Sequence, residues 1–364
     1  MNKKIVLVGR DAAPSGCFER LEPILKRSGF EVCLFANKGK PLLNSVEEVI
    51  LAVSSADVVI LGMSSSPKLA QYEIVAGESA KRAGVSYGFY GDTPRCWARA
   101  RKGAWFEQLA QHAAFYFGVT QADADLSVEV FPNAQLVFTG NPLREEIAFS
   151  RFTREEVRTK LDITQGEKLV LAAGGKLTAG NMASWVLLMD ALASLAKKGQ
   201  CFQLIFAIHP GDRTPYAVDT ATQSEMRLYD ELVSLSPVPT RIVGKNLLTT
   251  SDIVPGADII VEFGTSIGIE GAYHDVPVVS LGFEILFRRL EQISGTRTLE
   301  VVESGLSELI IADVRKLTDT IDYLLTPSGF AEMYTKKQKF HPKSTERSIA
   351  LRKITEAILK IVKE

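Results

Sequence analysis

The sequence has little that would build a metal centre or a disulfide framework. Its four cysteines, Cys17, Cys33, Cys96 and Cys201, lie far apart with no CxxC pair. That spacing argues against a cysteine zinc site and leaves reduced core or surface thiols. Histidines also number four, none paired at ligand spacing, so neither a metal nor a cofactor is expected. Charge of one sign is not in excess: 42 basic residues face 43 acidic ones, for a net charge of -1. A protein that holds nucleic acid on a broad basic surface would not have that balance.

Long apolar runs are missing too. None approaches the ~18–20 residues of a membrane span. At the start only Ile5–Val8 is apolar before Gly9, Arg10 and Asp11, too short for the core of a signal peptide. The expectation is a cytoplasmic protein, with peripheral membrane contact left open. GxxxxGK[ST] does not occur, which excludes a P-loop ATPase. No GxGxxG follows the first apolar run, which weakens a dinucleotide oxidoreductase.

What is present is ample apolar material in a regular rhythm. Hydrophobic residues make up 46% of 364 positions, enough for two cores of about 150–180 residues. Short apolar runs alternate with longer helical patterns, as in βαβ units with parallel sheets. Strands are expected at Ile5–Val8, Glu31–Phe35, Ala56–Leu61, Val85–Tyr90, Phe115–Val119 and Leu136–Thr139. After Gly140-Asn141-Pro142 a second series starts, opened by the capping-box spacing of Thr153-Arg154-Glu155-Glu156. Its strands are Leu169–Ala173, Phe202–Ile208, Arg241–Val243, Ile259–Glu262 and Val278–Leu281. Ser344–Val362 closes the chain with a helix of ~3.6 period. The expected fold class is therefore α/β. Residues 1–144 and 145–340 form two Rossmann-like domains facing across a cleft, and the helix of 341–364 crosses back to the first.

The strongest chemical signal is the run Ala257–Ala272, ADIIVEFGTSIGIEGA. A buried strand empties into small and hydroxylic residues where a helix begins. Unpaired amides and the positive end of the dipole at such a helix start suit phosphate oxygens. Gly264 and Gly268 would let a ligand approach the backbone, and Thr265 and Ser266 add hydroxyls. Glu270, one turn in, could accept two hydrogen bonds from a ribose diol. The bland alternative is a well-capped crossover helix with a solvated glutamate.

The longer run ADIIVEFGTSIGIEGAYHDVPVVSLG resembles the nucleotide-binding segment of GT-B glycosyltransferases. It is most similar to the peptidoglycan lipid-intermediate N-acetylglucosaminyltransferase, lipid A disaccharide synthase and the related UDP-N-acetylglucosamine 2-epimerases. VFTGNPLREEI (Val137–Ile147) and KLVLAAGGK (Lys168–Lys176) resemble the end of their first domain and the start of their second. The resemblance implies a GT-B fold with a UDP-sugar site in the C-terminal half. Glu270 would hold the ribose, and Thr265, Ser266 and Ile267 would cradle the diphosphate. Two departures stand out. The loop Gly9–Gly16 has no histidine, and Phe283–Arg289 stands where the peptidoglycan enzyme has paired glutamines.

Further candidates lie at strand ends. His209, in His209-Pro210-Gly211-Asp212-Arg213, is similar to the histidine-proline element of the 2-epimerases and of CMP- or CDP-dependent capsule and teichoic-acid polymerases. It could bind phosphate or move a proton. Arg10 resembles the arginine of the 2-epimerases' first loop. Asp92 and Asp11 follow strands and could deprotonate an acceptor hydroxyl; both could equally be turn or capping residues. Gly174 and Lys176 end a loop on the expected cleft, and Arg10, Lys176 or Arg213 would stabilise a leaving diphosphate. Arg95, Trp97, Arg99 and Arg101 suggest either an anionic-acceptor surface or a solvated helix face. His112, His274 and His341 read as structural.

Together these residues suggest a metal-independent glycosyltransferase that takes a sugar from a nucleotide-sugar donor, most simply a UDP-sugar, to an unidentified acceptor. The alternatives are a UDP-sugar 2-epimerase, a CMP- or CDP-dependent transferase, and a catalytically silent sugar-nucleotide sensor.

Overall fold

A computed structural model describes residues 3–38, 44–64, 66–100, 103–175, 177–208, 223–243, 248–294, 297–303, 305–340 and 346–363. The chain divides into two compact units. One comprises Met1–Glu146, Ile293–Gly295 and Glu346–Glu364; the other comprises Ile147–Gln292 and Thr296–Thr345.

The first unit is built on β1 (Lys4–Gly9), β2 (Glu31–Ala36), β3 (Val58–Leu61), β4 (Ser86–Tyr90), β5 (Phe115–Gly118) and β6 (Gln135–Phe138). They form one sheet in the order β2-β1-β3-β4-β5-β6, parallel at every pairing. Ile5 to Val8 are wholly buried because both faces of a parallel sheet are covered. The period of two divides them between two cores: Val6 and Val8 face one side, Ile5 and Leu7 the other. The closing helix Ile349–Ile361 brings Leu351, Ile354 and Ile358 into the second of these cores. Its start is held where the Ala350 amide donates to Glu145 Oε1 at 2.8 Å.

The second unit repeats the plan with β7 (Lys168–Ala173), β8 (Phe202–Ala207), β9 (Thr240–Val243), β10 (Ile259–Glu262), β11 (Val278–Gly282) and β12 (Ser307–Ile311). Their order is β12-β11-β10-β7-β8-β9, again parallel throughout. β12 has no counterpart in the sequence reading. Its SELII run is half exposed at the sheet edge, so it lacks the continuous apolar signature of the inner strands. The helix Thr178–Ala196 has the length and mean hydropathy (1.2) of a membrane span, which corrects the reading that no run approaches that length. Trp185, Leu188, Leu192 and Leu195 of this helix lie buried in the core of the unit.

Each sheet has one point where the winding reverses. In the first unit the chain goes from β1 outward to β2 and returns on the other side as β3. In the second it goes from β7 through β8 to β9 and returns beside β7 as β10. Outside the carboxyl ends of the strands at such a switch point a crevice opens, and ligands of open α/β sheets collect there.

Candidate functional site

At the switch point of the second unit the loops after β7 and β10 meet. A Cβ on Gly175 would lie 2.7 Å from the Phe263 carbonyl oxygen, so the two backbones touch. Asn181, wholly buried in the helix Thr178–Ala196, fixes the first loop. Its Oδ1 accepts from the Gly175 amide and its Nδ2 donates to the Gly175 carbonyl, both at 2.8 Å. Gly174 packs against the same side chain. Lys176, His209 and Arg213 lie outside the described residues.

The loop after β10 turns at Gly264, whose φ of +61° is the left-handed conformation that glycine adopts without steric cost. The carboxyl of Glu262, 1% exposed, sits beneath the turn. It accepts from the Thr265 amide at 3.0 Å and from the Ser280 hydroxyl at 2.5 Å, and Ser280 is 2.9 Å from Ser307. Burial pushes this carboxyl up to about 7, against the pull of hydrogen bonds from Ser280, Thr265 and Gly264. The Ile267 amide donates to Thr265 Oγ1 at 3.2 Å. Ser266, at the start of the helix Ile267–Tyr273, is exposed and makes no side-chain cap.

Glu270 lies one turn into that helix, half-buried. Its Oε2 is out of solvent and has no hydrogen-bond partner. Burial raises its carboxyl above the usual range, opposed by a hydrogen bond from Ser251. Two of the residues expected at the ligand have structural partners of their own. A Cβ on Gly268 would meet Val301 of the helix Glu300–Glu303 at 3.1 Å and Val278 of β11 at 3.3 Å, so this glycine lets its helix pack closely on both. Ile267 buries its side chain and has spent its amide on Thr265. With the Thr265 amide held by Glu262, the polar groups left on the outer side of the turn are the hydroxyls of the half-buried Thr265 and the exposed Ser266.

At the switch point of the first unit the organiser is Glu73, wholly buried in the first turn of the helix Gln71–Ala83. Glu73 Oε1 accepts from the Arg10 amide at 3.3 Å and from the Ser64 hydroxyl, while Ser64 accepts from the Asp11 amide at 3.2 Å. Burial pushes the carboxyl up to about 7. The loops after β1 and β3 are thus joined through one side chain. Asp11 caps the helix Ala12–Arg27, and Arg10 Nη1 donates to the Lys68 carbonyl at 3.1 Å.

Asp92 follows β4 and is 9% exposed; its carbonyl accepts from Asn141 Nδ2 at 2.6 Å. The turn beyond it is held by Asp123. Oδ1 takes the Arg95 amide (2.7 Å) and Trp97 Nε1 (3.1 Å), and Oδ2 takes the Tyr116 hydroxyl (2.7 Å) and the Val119 amide (3.2 Å). Trp97 is therefore a buried strut, not part of an acceptor surface. Asp123 also opens an Asp-Ala-Asp triplet, but its oxygens are filled by these donors, and Asp125 accepts from Gln121 instead.

Sequence reasoning did not mark Glu73, Asp123, Asn181 or Glu262. A glutamate closing the apolar strand Ile259–Glu262 was the one available signal among them. A groove of about 650 Å³ lies elsewhere, at the amino ends of β11 and β12. Four of its charged side chains pair as Lys316–Glu308 and Lys336–Glu332.

No protein-family model and no curated protein matches the chain. Solved structures do, over nearly its whole length. MnaA of S. aureus in complex with UDP is 14% identical with a TM-score of 0.63, covering 100% of this chain and 98% of that one. The UDP-N-acetylglucosamine 2-epimerase of Neisseria meningitidis, bound to UDP-N-acetylglucosamine, is 14% identical with a TM-score of 0.60, covering 98% and 100%. A glycosyltransferase from Rickettsia africae is 13% identical with a TM-score of 0.59, covering 100% and 99%. The fold is GT-B. In GT-B terms, the two six-stranded parallel sheets are the paired Rossmann-like domains that the sequence led us to expect.

Proposed function

We propose that this GT-B protein is an enzyme acting on a UDP-sugar held at the switch point of its second unit. The observation that carries the reading is Glu270 Oε2, buried and unpartnered one turn beyond a Gly-Thr-Ser turn whose Ser266 is exposed. An unpaired buried carboxylate oxygen is costly, and a ribose diol would supply the missing donor. Thr265 and Ser266 would take the diphosphate, with Gly174 closing the loop beside them. Lys176, His209 and Arg213 would add charge or a proton. Binding of UDP or a UDP-sugar by the neighbours in solved structures supports this assignment.

The finer reading is glycosyl transfer without a metal. The second unit would hold the donor and the first would present the acceptor, with Asp92 as base, Asp11 as the next candidate, and Arg10 helping to stabilise the leaving diphosphate. The R. africae glycosyltransferase supports it. A second reading, UDP-sugar 2-epimerisation, is favoured by the likeness to the N. meningitidis 2-epimerase. There His209 and Asp92 would act on the sugar carbon.

Incubation with UDP-N-acetylglucosamine and other UDP-sugars, followed by NMR of the products, separates these readings. Transfer or slow hydrolysis releases free UDP. Epimerisation changes the sugar while UDP stays attached. Binding of no UDP-sugar at millimolar concentration would overturn the proposal.

A further inference from the structure

The turn that would meet the diphosphate is not self-supporting. Gly264 is in the left-handed region, Ser266 makes no cap, and the helix that follows has seven residues. What braces it is the carboxyl of Glu262, reached from above by the Thr265 amide and from β11 by the Ser280 hydroxyl. We propose that Glu262 is the positioning residue of this turn, holding it through the Thr265 and Gly264 amides so that Thr265 and Ser266 stay presented to a diphosphate. The inference rests on the nucleotide reading above.

The surroundings of Glu262 give this role a pH dependence. It is faced by Ser280 on β11, with Ser307 on β12 behind it, by the amides of the turn, and by Gly268 of the helix. No charged side chain among the described residues contributes to its ionisation. Ser280 can donate to an ionised Glu262, or accept from a neutral one while donating to Ser307. The brace therefore holds in both states. A diphosphate on the far side of the turn repels the ionised form and favours the neutral one, so binding takes up a proton wherever the free protein is partly ionised. With the free carboxyl at about 7, that window opens near neutrality and extends above it. Glu262→Gln reproduces the neutral brace, whereas Glu262→Ala removes it.

The test is calorimetric titration with UDP-N-acetylglucosamine, whose diphosphate diester does not itself titrate near neutrality. It is run between pH 6 and 8.5 in buffers of different ionisation enthalpy. Wild type is expected to take up about half a proton per site near pH 7.5 and to lose about tenfold in affinity by pH 8.5. Glu262→Gln is expected to take up none, to keep a flat profile, and to bind more tightly than wild type at pH 8.5. Glu262→Ala should lose at least about tenfold at every pH. Should Glu262→Gln fail to fold, Ser280→Ala serves in its place. It removes a donor to the ionised form and should move the wild-type affinity profile to higher pH. Binding by wild type with no proton uptake, and with a profile unchanged in these variants, overturns the inference and leaves the nucleotide reading standing. No binding by wild type at any pH overturns both.

Discussion

The indole Nε1 of Trp97 donates to Asp123 Oδ1 at 3.1 Å, joining the segment after β4 to the helix Gln121–Leu126 that follows β5. Three more donors converge on the same carboxylate, and its burial leaves no water to replace it. Asp123→Ala should therefore cost about 2–4 kcal/mol of stability, because it leaves the Tyr116 hydroxyl and two amides unpaired. Asp123→Asn, which keeps one good acceptor, should cost less. Urea unfolding of the two variants measures this. A loss below about 0.5 kcal/mol for the alanine variant would remove Asp123 as the anchor of the Asp92 turn.

A second expectation concerns Asp92 itself. If it is the base for an acceptor hydroxyl, Asp92→Asn should lose at least about a hundredfold in turnover while UDP affinity stays nearly constant. Turnover with a UDP-sugar and titration with UDP, measured on the same preparation, give both numbers. A fully active variant would move the search for a base to Asp11.

The inner strands were legible in the sequence because burial on both faces leaves a run such as Ile5–Val8 or Ile259–Val261 with no polar residue. The edge strand Ser307–Ile311 was not legible, since half of it faces solvent and its pattern is that of a loop. The turn after β10 was legible as chemistry through Gly264, Thr265, Ser266 and Glu270. Its supports were not. Glu262, Glu73 and Asp123 act as hydrogen-bond hubs only because segments 18, 63 and 7 residues away fold onto them. Spacing along the chain carries no mark of that. The packing role of Gly268 was not legible for the same reason: what a glycine faces is decided by Val278 and Val301, not by its neighbours in sequence.

Stability should depend on pH through two of those hubs. Glu73 and Glu262 are both raised from 4.5 to about 7 in the folded protein, chiefly by burial. A folded-state value above the unfolded one means that the native protein binds more protons between those pH values. Stability is therefore greatest below about 4.5 as far as these groups are concerned, and is lost as pH rises through about 7. Each should contribute a fall on the order of 1–3 kcal/mol across that window. Glu73→Gln should flatten the wild-type slope of unfolding free energy against pH. An unchanged slope would show that Glu73 is not the titrating group.

Gly264 allows a sharper local test. Alanine there must adopt a φ of +61° and place its Cβ 2.5 Å from Leu286 Cδ1. Gly264→Ala should lose about 1–3 kcal/mol of stability and weaken UDP binding, because the turn must shift to relieve both strains. Retention of wild-type stability and affinity, measured by thermal unfolding and calorimetry, would show that the turn has no such constraint.

The most direct measurement of the central claim is calorimetric titration of wild type and Glu270→Ala with UDP. If Glu270 Oε2 waits for a ribose hydroxyl, wild type binds UDP, and the variant loses a charge-assisted pair of ~1.5–3 kcal/mol. Affinity then falls by roughly one to two orders of magnitude with an unchanged unfolding midpoint. Equal UDP affinity in the two proteins, or no binding by either, would contradict the account.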